Sequence, residues 1–145
     1  MNRAPSPAEL KRYKADRQAQ FDQRTKELKF QLQVMAPALI AQLNQFQALV
    51  FEQMERQGFW EGSADSTPSK IALMHSELSE MLEADRNGVE ADDKVPDFDG
   101  PTAEAADVFV RLADWCGRHE KPFGEALIAK MMVNLDRPYK HGKAY

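Results

Sequence analysis

Cysteine is almost missing from this chain: Cys116 is the single thiol in 145 residues. It closes no internal disulfide, and its place inside an apolar helical pattern gives it a packing role and predicts a reducing interior for the protein. Long apolar runs are missing too. None approaches the roughly 20 residues that cross a bilayer, and the charged N-terminus lacks the apolar stretch of a signal peptide. A soluble, cytoplasmic protein with no membrane partner is expected. Strand-like alternation, internal repeats and low-complexity tracts are also lacking, so nothing in the sequence asks for a sheet.

What is present is helical patterning and an uneven charge. The net charge of −4 hides a split. Residues 1–30 hold eight Lys or Arg against four acids, a balance of +4, which leaves 11 basic and 19 acidic residues, or −8, for the remainder. An acidic body argues against broad binding to a phosphate backbone, so a nucleic-acid partner is not expected for it, although the basic arm could touch one.

Ser6, Pro7 and Glu9 form a capping box with proline in the first turn, which predicts a helix from there to about Met35. Its sparse apolar residues, Leu10, Phe21, Leu28, Leu32 and Met35, suggest a narrow seam against another helix. Pro37 removes a helix hydrogen bond, so a kink or stop is expected before a second helix over 38–57, with Leu39, Leu43, Phe46, Val50 and Met54 on one face. A loop follows to Thr67-Pro68. A third helix is predicted from about Pro68 to Asn87 with Gly88 as its stop, its core stripe being Ile71, Met74, Leu78, Met81 and Leu82.

The acidic stretch VEADDKVPDFDG reads as a connection. Pro101 opens a fourth helix with Ala105, Val108, Leu112 and Trp115 toward the core, and Pro122 opens a fifth that ends at Pro138. The expected fold is an all-α bundle. Residues 1–37 are expected to form an N-terminal arm for oligomerisation or packing, and residues 38–145 the helical domain.

Two pairs of acids stand out: Glu77 with Glu80, and Glu104 with Asp107. Each pair is spaced i, i+3, so its side chains share one helix face about 5–6 Å apart. Four like charges gathered by two neighbouring helices repel by about 4 kcal/mol per contact at an effective dielectric near 20, which asks for a cation between them. Oxygen donors without Cys, and without an obvious His partner, suit Mg²⁺ or Mn²⁺ better than zinc. On the last helix Lys130, Asn134 and Arg137 fall at i, i+4 and i+7, where they can orient oxyanions.

The segments KIALMHSELSEMLEADRNG, AEAADVFVRLADW and KMMVNLDRPYKHGKAY, preceded by GFW, resemble the MazG-like, all-α nucleoside triphosphate pyrophosphohydrolases over roughly residues 38–145. The resemblance implies a helical bundle assembled as a homodimer or homotetramer. It also implies Mg²⁺-dependent hydrolysis of a nucleoside triphosphate to monophosphate and pyrophosphate. Glu77, Glu80, Glu104 and Asp107 would then be metal ligands and catalytic residues. Lys130, Asn134, Arg137, Lys140 and Lys143 would grip the triphosphate or sugar, and Lys70 is a further candidate phosphate contact. The family often carries two adjacent glutamates where this chain has Ser76 before Glu77, which leaves the water's activator open between the metal alone, Glu80 and Glu83.

Trp60 and Phe59 either stack on a nucleobase or close the core. Arg111 and Asp114 extend the acidic stripe by a turn and are expected to form structural ion pairs. The competing reading is a non-enzymatic helical dimer that binds nucleic acid or a protein through its basic arm, with the acids merely solvated.

Overall fold

In a computed structural model that describes residues 6–61 and 66–138, the chain is all-helical, with no strand among the described residues. The described residues form four helices: α1 (Pro7–Arg56), α2 (Thr67–Asn87), α3 (Gly100–Arg118) and α4 (Phe123–Leu135). The chain divides into two compact units, residues 42–123 and residues 1–41 with 124–145.

α1 begins as its capping box dictates. The Ser6 backbone N–H donates to Glu9 Oε2 at 2.6 Å, and the Glu9 N–H donates to Ser6 Oγ at 3.3 Å. Hydrogen bonding from the Ser6 hydroxyl, and then from the Ser6 N–H, holds the Glu9 carboxyl below its ordinary range. The expected break at Pro37 does not occur, so two predicted helices are one of 50 residues. Proline deletes one N–H and crowds the carbonyl four residues back, a cost of about 3 kcal/mol. Intact turns on both sides, with Met35, Ala36, Ala38 and Leu39 as good helix formers, carry the helix through that single defect.

α1 also contains an 18-residue window of mean hydropathy 1.3. By length and composition it therefore passes for a membrane-crossing helix, against the expectation that nothing would. The same helix nevertheless supplies core: Val50 is buried, and Gln47 Nε2 donates to the Lys121 carbonyl at 3.0 Å.

α2 and α3 are each started by a side-chain cap and a proline. Ser66 Oγ accepts from the Ser69 N–H at 3.3 Å, and Asp99 Oδ1 accepts from the Thr102 N–H at 2.8 Å. Gly88 ends α2 in the left-handed region at φ 62°, where a side chain would be strained. Gly117 is not a stop. α3 runs through it because a Cβ there would lie 2.6 Å from Phe51 Cβ and 2.8 Å from the Gln47 carbonyl, so only glycine lets α3 approach α1.

Within residues 42–123, α2 packs on α3, with Val50, Ala113 and Cys116 buried and Phe46 stacked on Phe109 at 5.6 Å. The stripe expected to be α2's core is not. Ile71, Leu78 and Leu82 are exposed, whereas Lys70 and Glu77 are buried. The charged residues face α3 because they find ion-pair partners there.

In the other unit, Leu32 and Ile128 are buried, Lys29 pairs with Asp136, and the first turns of α1 expose Leu10, Tyr13 and Phe21.

Candidate metal centre

α2 and α3 bring three of the four predicted acids together. Carboxylate oxygens of Glu77, Glu80 and Glu104 all lie within 4.8 Å of one another. Glu77 is buried, Glu104 half-buried and Glu80 exposed, so the group opens to solvent on one side. Asp107, a turn beyond Glu104, stands outside this group but near enough for its charge to act on Glu104.

The cost of gathering these charges shows in Glu104. Its carboxyl titrates above the usual carboxylate range, first because of desolvation, then through a hydrogen bond with Glu77 and the repulsion of Glu80, Glu77 and Asp107. Without a cation the cluster therefore disfavours the charged form of Glu104. A hard divalent ion relieves the same repulsion, and an all-oxygen donor set suits Mg²⁺ or Mn²⁺.

Two residues support the cluster. Arg111 Nε on α3 donates to Glu77 Oε1 at 2.6 Å, and Arg111 Nη2 pairs with the same oxygen. Ser76 has its hydroxyl 2.9 Å from Glu80 Oε1, to which it donates. The serine thus orients the Glu80 carboxylate one turn on. The alternation of charge sign along the α3 stripe signalled Arg111; nothing in the spacing alone signalled the role of Ser76.

Lys70 and Trp60 meet each other and Asp114. Lys70 is buried, and its ammonium donates to the Phe59 carbonyl at 2.9 Å, contacts Asp114 Oδ2 at 3.5 Å and lies 3.8 Å from the centroid of the Trp60 ring. Trp60 Nε1 donates to Asp114 Oδ1 at 2.7 Å. The lysine occupies one ring face, and its charge is neutralised by Asp114. These residues, with Asp114, tie the turn after α1 to α2 and α3. Beside them a cavity of about 180 Å³ is lined by Phe59, Leu73, Val110, Asp107 and Arg111.

Lys130 and Asn134 are exposed on α4, and Arg137 follows α4 in a turn where its N–H donates to the Asn134 carbonyl at 3.2 Å. These three belong to the other compact unit. Lys140 and Lys143 lie outside the described residues. No family model, curated protein or solved structure matches the chain.

Proposed function

We propose that the protein is a Mg²⁺-dependent nucleoside triphosphate pyrophosphohydrolase of the MazG-like kind its sequence resembles, acting as a homo-oligomer in nucleotide-pool control. The observation that carries this reading is the convergence of the Glu77, Glu80 and Glu104 carboxylates from two helices. An acidic cluster whose purpose was solvation would spread its charges, not bury one and hydrogen-bond it to another.

In this reading Glu77, Glu80 and Glu104 hold the ion, with Asp107 completing the acidic wall. When bound, the ion neutralises phosphoryl oxygens and lowers the pKa of a water. The chain's own residues fix the geometry: Arg111 locks Glu77, Ser76 orients Glu80, and Glu104 supplies the third carboxylate from α3. In the net reaction a water oxygen bonds to the α-phosphorus and the α–β bridging bond breaks. Pyrophosphate departs with that electron pair, and one proton passes to solvent.

Lys130, Asn134, Arg137 and Lys140 are proposed, on the sequence resemblance alone, as contacts for the phosphates or sugar. The uncovered stripe Ile71, Leu78 and Leu82 supports the homo-oligomer, because a second copy removes it from water. Incubating the protein with (d)NTPs and Mg²⁺ tests the reading. Release of pyrophosphate from at least one of them supports it, and no turnover of any contradicts it.

A further inference from the structure

The connection from α2 to α3 has more order than a solvated loop requires. Asp92 Oδ1 accepts from the N–H groups of Lys94 and Val95, each at 2.9 Å, and these bonds hold its carboxyl below the ordinary range. The Asp92 N–H donates to the Phe98 carbonyl at 2.9 Å, and the Phe98 N–H to the Val95 carbonyl at 3.0 Å. At the base of the loop the Gly100 N–H reaches the Val89 carbonyl at 3.0 Å. A Cβ on Gly100 would lie 2.9 Å from Ala84 Cβ and 3.0 Å from Val89 Cβ, so the loop's exit is clamped onto α2.

This fixed backbone leaves two large apolar side chains in water: Phe98 is 55% exposed and Val95 45%. They line a cavity of about 300 Å³ together with Thr102, Ala103, Glu104 and Asp107. That volume is at the lower end of the range for small-molecule sites, about 300 Å³ upward. The cavity shares Glu104 with the three-acid cluster, so a ligand filling it lies against the proposed metal centre. Its three acids, Asp92, Glu104 and Asp107, outnumber its one cation, Lys94, which disfavours a phosphate tail, whereas an uncharged aromatic ring gains apolar contact and stacking.

We propose that Phe98, with Val95, forms the wall that receives the nucleobase, so that the loop over 89–99 determines substrate affinity. The inference rests on the pyrophosphohydrolase reading and names the part of the substrate that this side of the site recognises. Phe98 acts by stacking on the base, not by polarising the bond that breaks. It therefore affects KM and binding far more than kcat.

The test is isothermal titration with Mg²⁺ of a non-hydrolysable α,β-methylene deoxynucleoside triphosphate and, separately, of inorganic tripolyphosphate. Wild type, Phe98→Ala and Phe98→Trp are compared. Base–aromatic stacking predicts a loss on the order of tenfold in nucleotide affinity for Phe98→Ala and restoration by Phe98→Trp, with tripolyphosphate unchanged throughout. Equal nucleotide affinity in wild type and Phe98→Ala overturns the inference, as does an equal loss for both ligands. A fall in oligomeric state on Phe98→Ala also overturns it, by assigning the loop to a subunit contact. Failure of wild type to bind either ligand overturns the inference together with the reading beneath it, whereas binding of tripolyphosphate as tightly as the nucleotide overturns the inference alone.

Discussion

Arg111 of α3 donates through Nε to Oε1 of the buried Glu77 of α2 at 2.6 Å. The contact has two consequences. It supplies part of the positive charge that the acidic cluster requires, and it couples the packing of the two helices to the geometry of the candidate metal centre.

Arg111→Met leaves Glu77 buried beside two other carboxylates without its partner. Breaking a buried pair costs about 3–5 kcal/mol; with Arg111 partly exposed, a loss of about 1–3 kcal/mol is expected here. Urea denaturation measures it. Saturating Mg²⁺ should recover much of the loss, because the ion takes over the neutralisation of Glu77. A variant as stable as wild type without Mg²⁺ would mean the pair carries no weight.

The titration of Glu104 sets a pH dependence. Its folded pKa lies above the ordinary glutamate value of 4.5. The stability it contributes is therefore fully present below the unfolded value and is lost as pH rises through the folded one. Without metal, Glu104→Gln should unfold at a higher temperature than wild type above that range, and the gap should close as pH falls toward 4.5. With wild type, Mg²⁺ binding should release protons and weaken on acidification. Thermal melts from pH 4 to 8, with and without Mg²⁺, give both comparisons.

Lys70→Met separates a structural lysine from a substrate contact. The substitution strands Asp114 in the interior and should destabilise the fold by about 3 kcal/mol. The double variant Lys70→Met, Asp114→Leu should regain part of that loss, since no buried charge remains unpaired. KM for the nucleotide in the folded fraction should stay within a few-fold of wild type. A KM raised a hundredfold at unchanged stability would return Lys70 to the phosphate site.

Leu78→Asp tests the uncovered face of α2. A charge in the middle of the Ile71, Leu78 and Leu82 stripe should dissociate a homo-oligomer into monomers without removing any acid of the cluster. Sedimentation velocity reads the change. An unaltered sedimentation coefficient in a folded variant places the subunit contact elsewhere.

The helical class and most helix ends were legible in the sequence because they depend on local chemistry. The Ser6–Glu9 box, Ser66 with Pro68, Gly88 in the left-handed region and Asp99 before Pro101 each satisfy orphan backbone groups at their own position. The continuity of α1 through Pro37 was not legible, because one lost hydrogen bond competes with many retained ones.

The site was legible as a cluster of acids but not in its supports. Spacing puts Glu77 beside Glu80 on one helix face, yet the partner that neutralises Glu77 comes from Arg111, 34 positions away. The same long-range pairing reversed the expected orientation of α2. Lys70 and Glu77 turn inward because α3 offers Asp114 and Arg111, and the apolar stripe is left to the outside. Apolar periodicity alone carries no information about such pairs.

The most direct test of the account is to identify the products formed from a turned-over deoxynucleoside triphosphate by ³¹P NMR, for wild type and Glu80→Gln, with Mg²⁺ and after its removal. The account predicts monophosphate and pyrophosphate from wild type with Mg²⁺, and no products without the ion or from a folded Glu80→Gln. Diphosphate with inorganic phosphate, or full activity in Glu80→Gln, would contradict it.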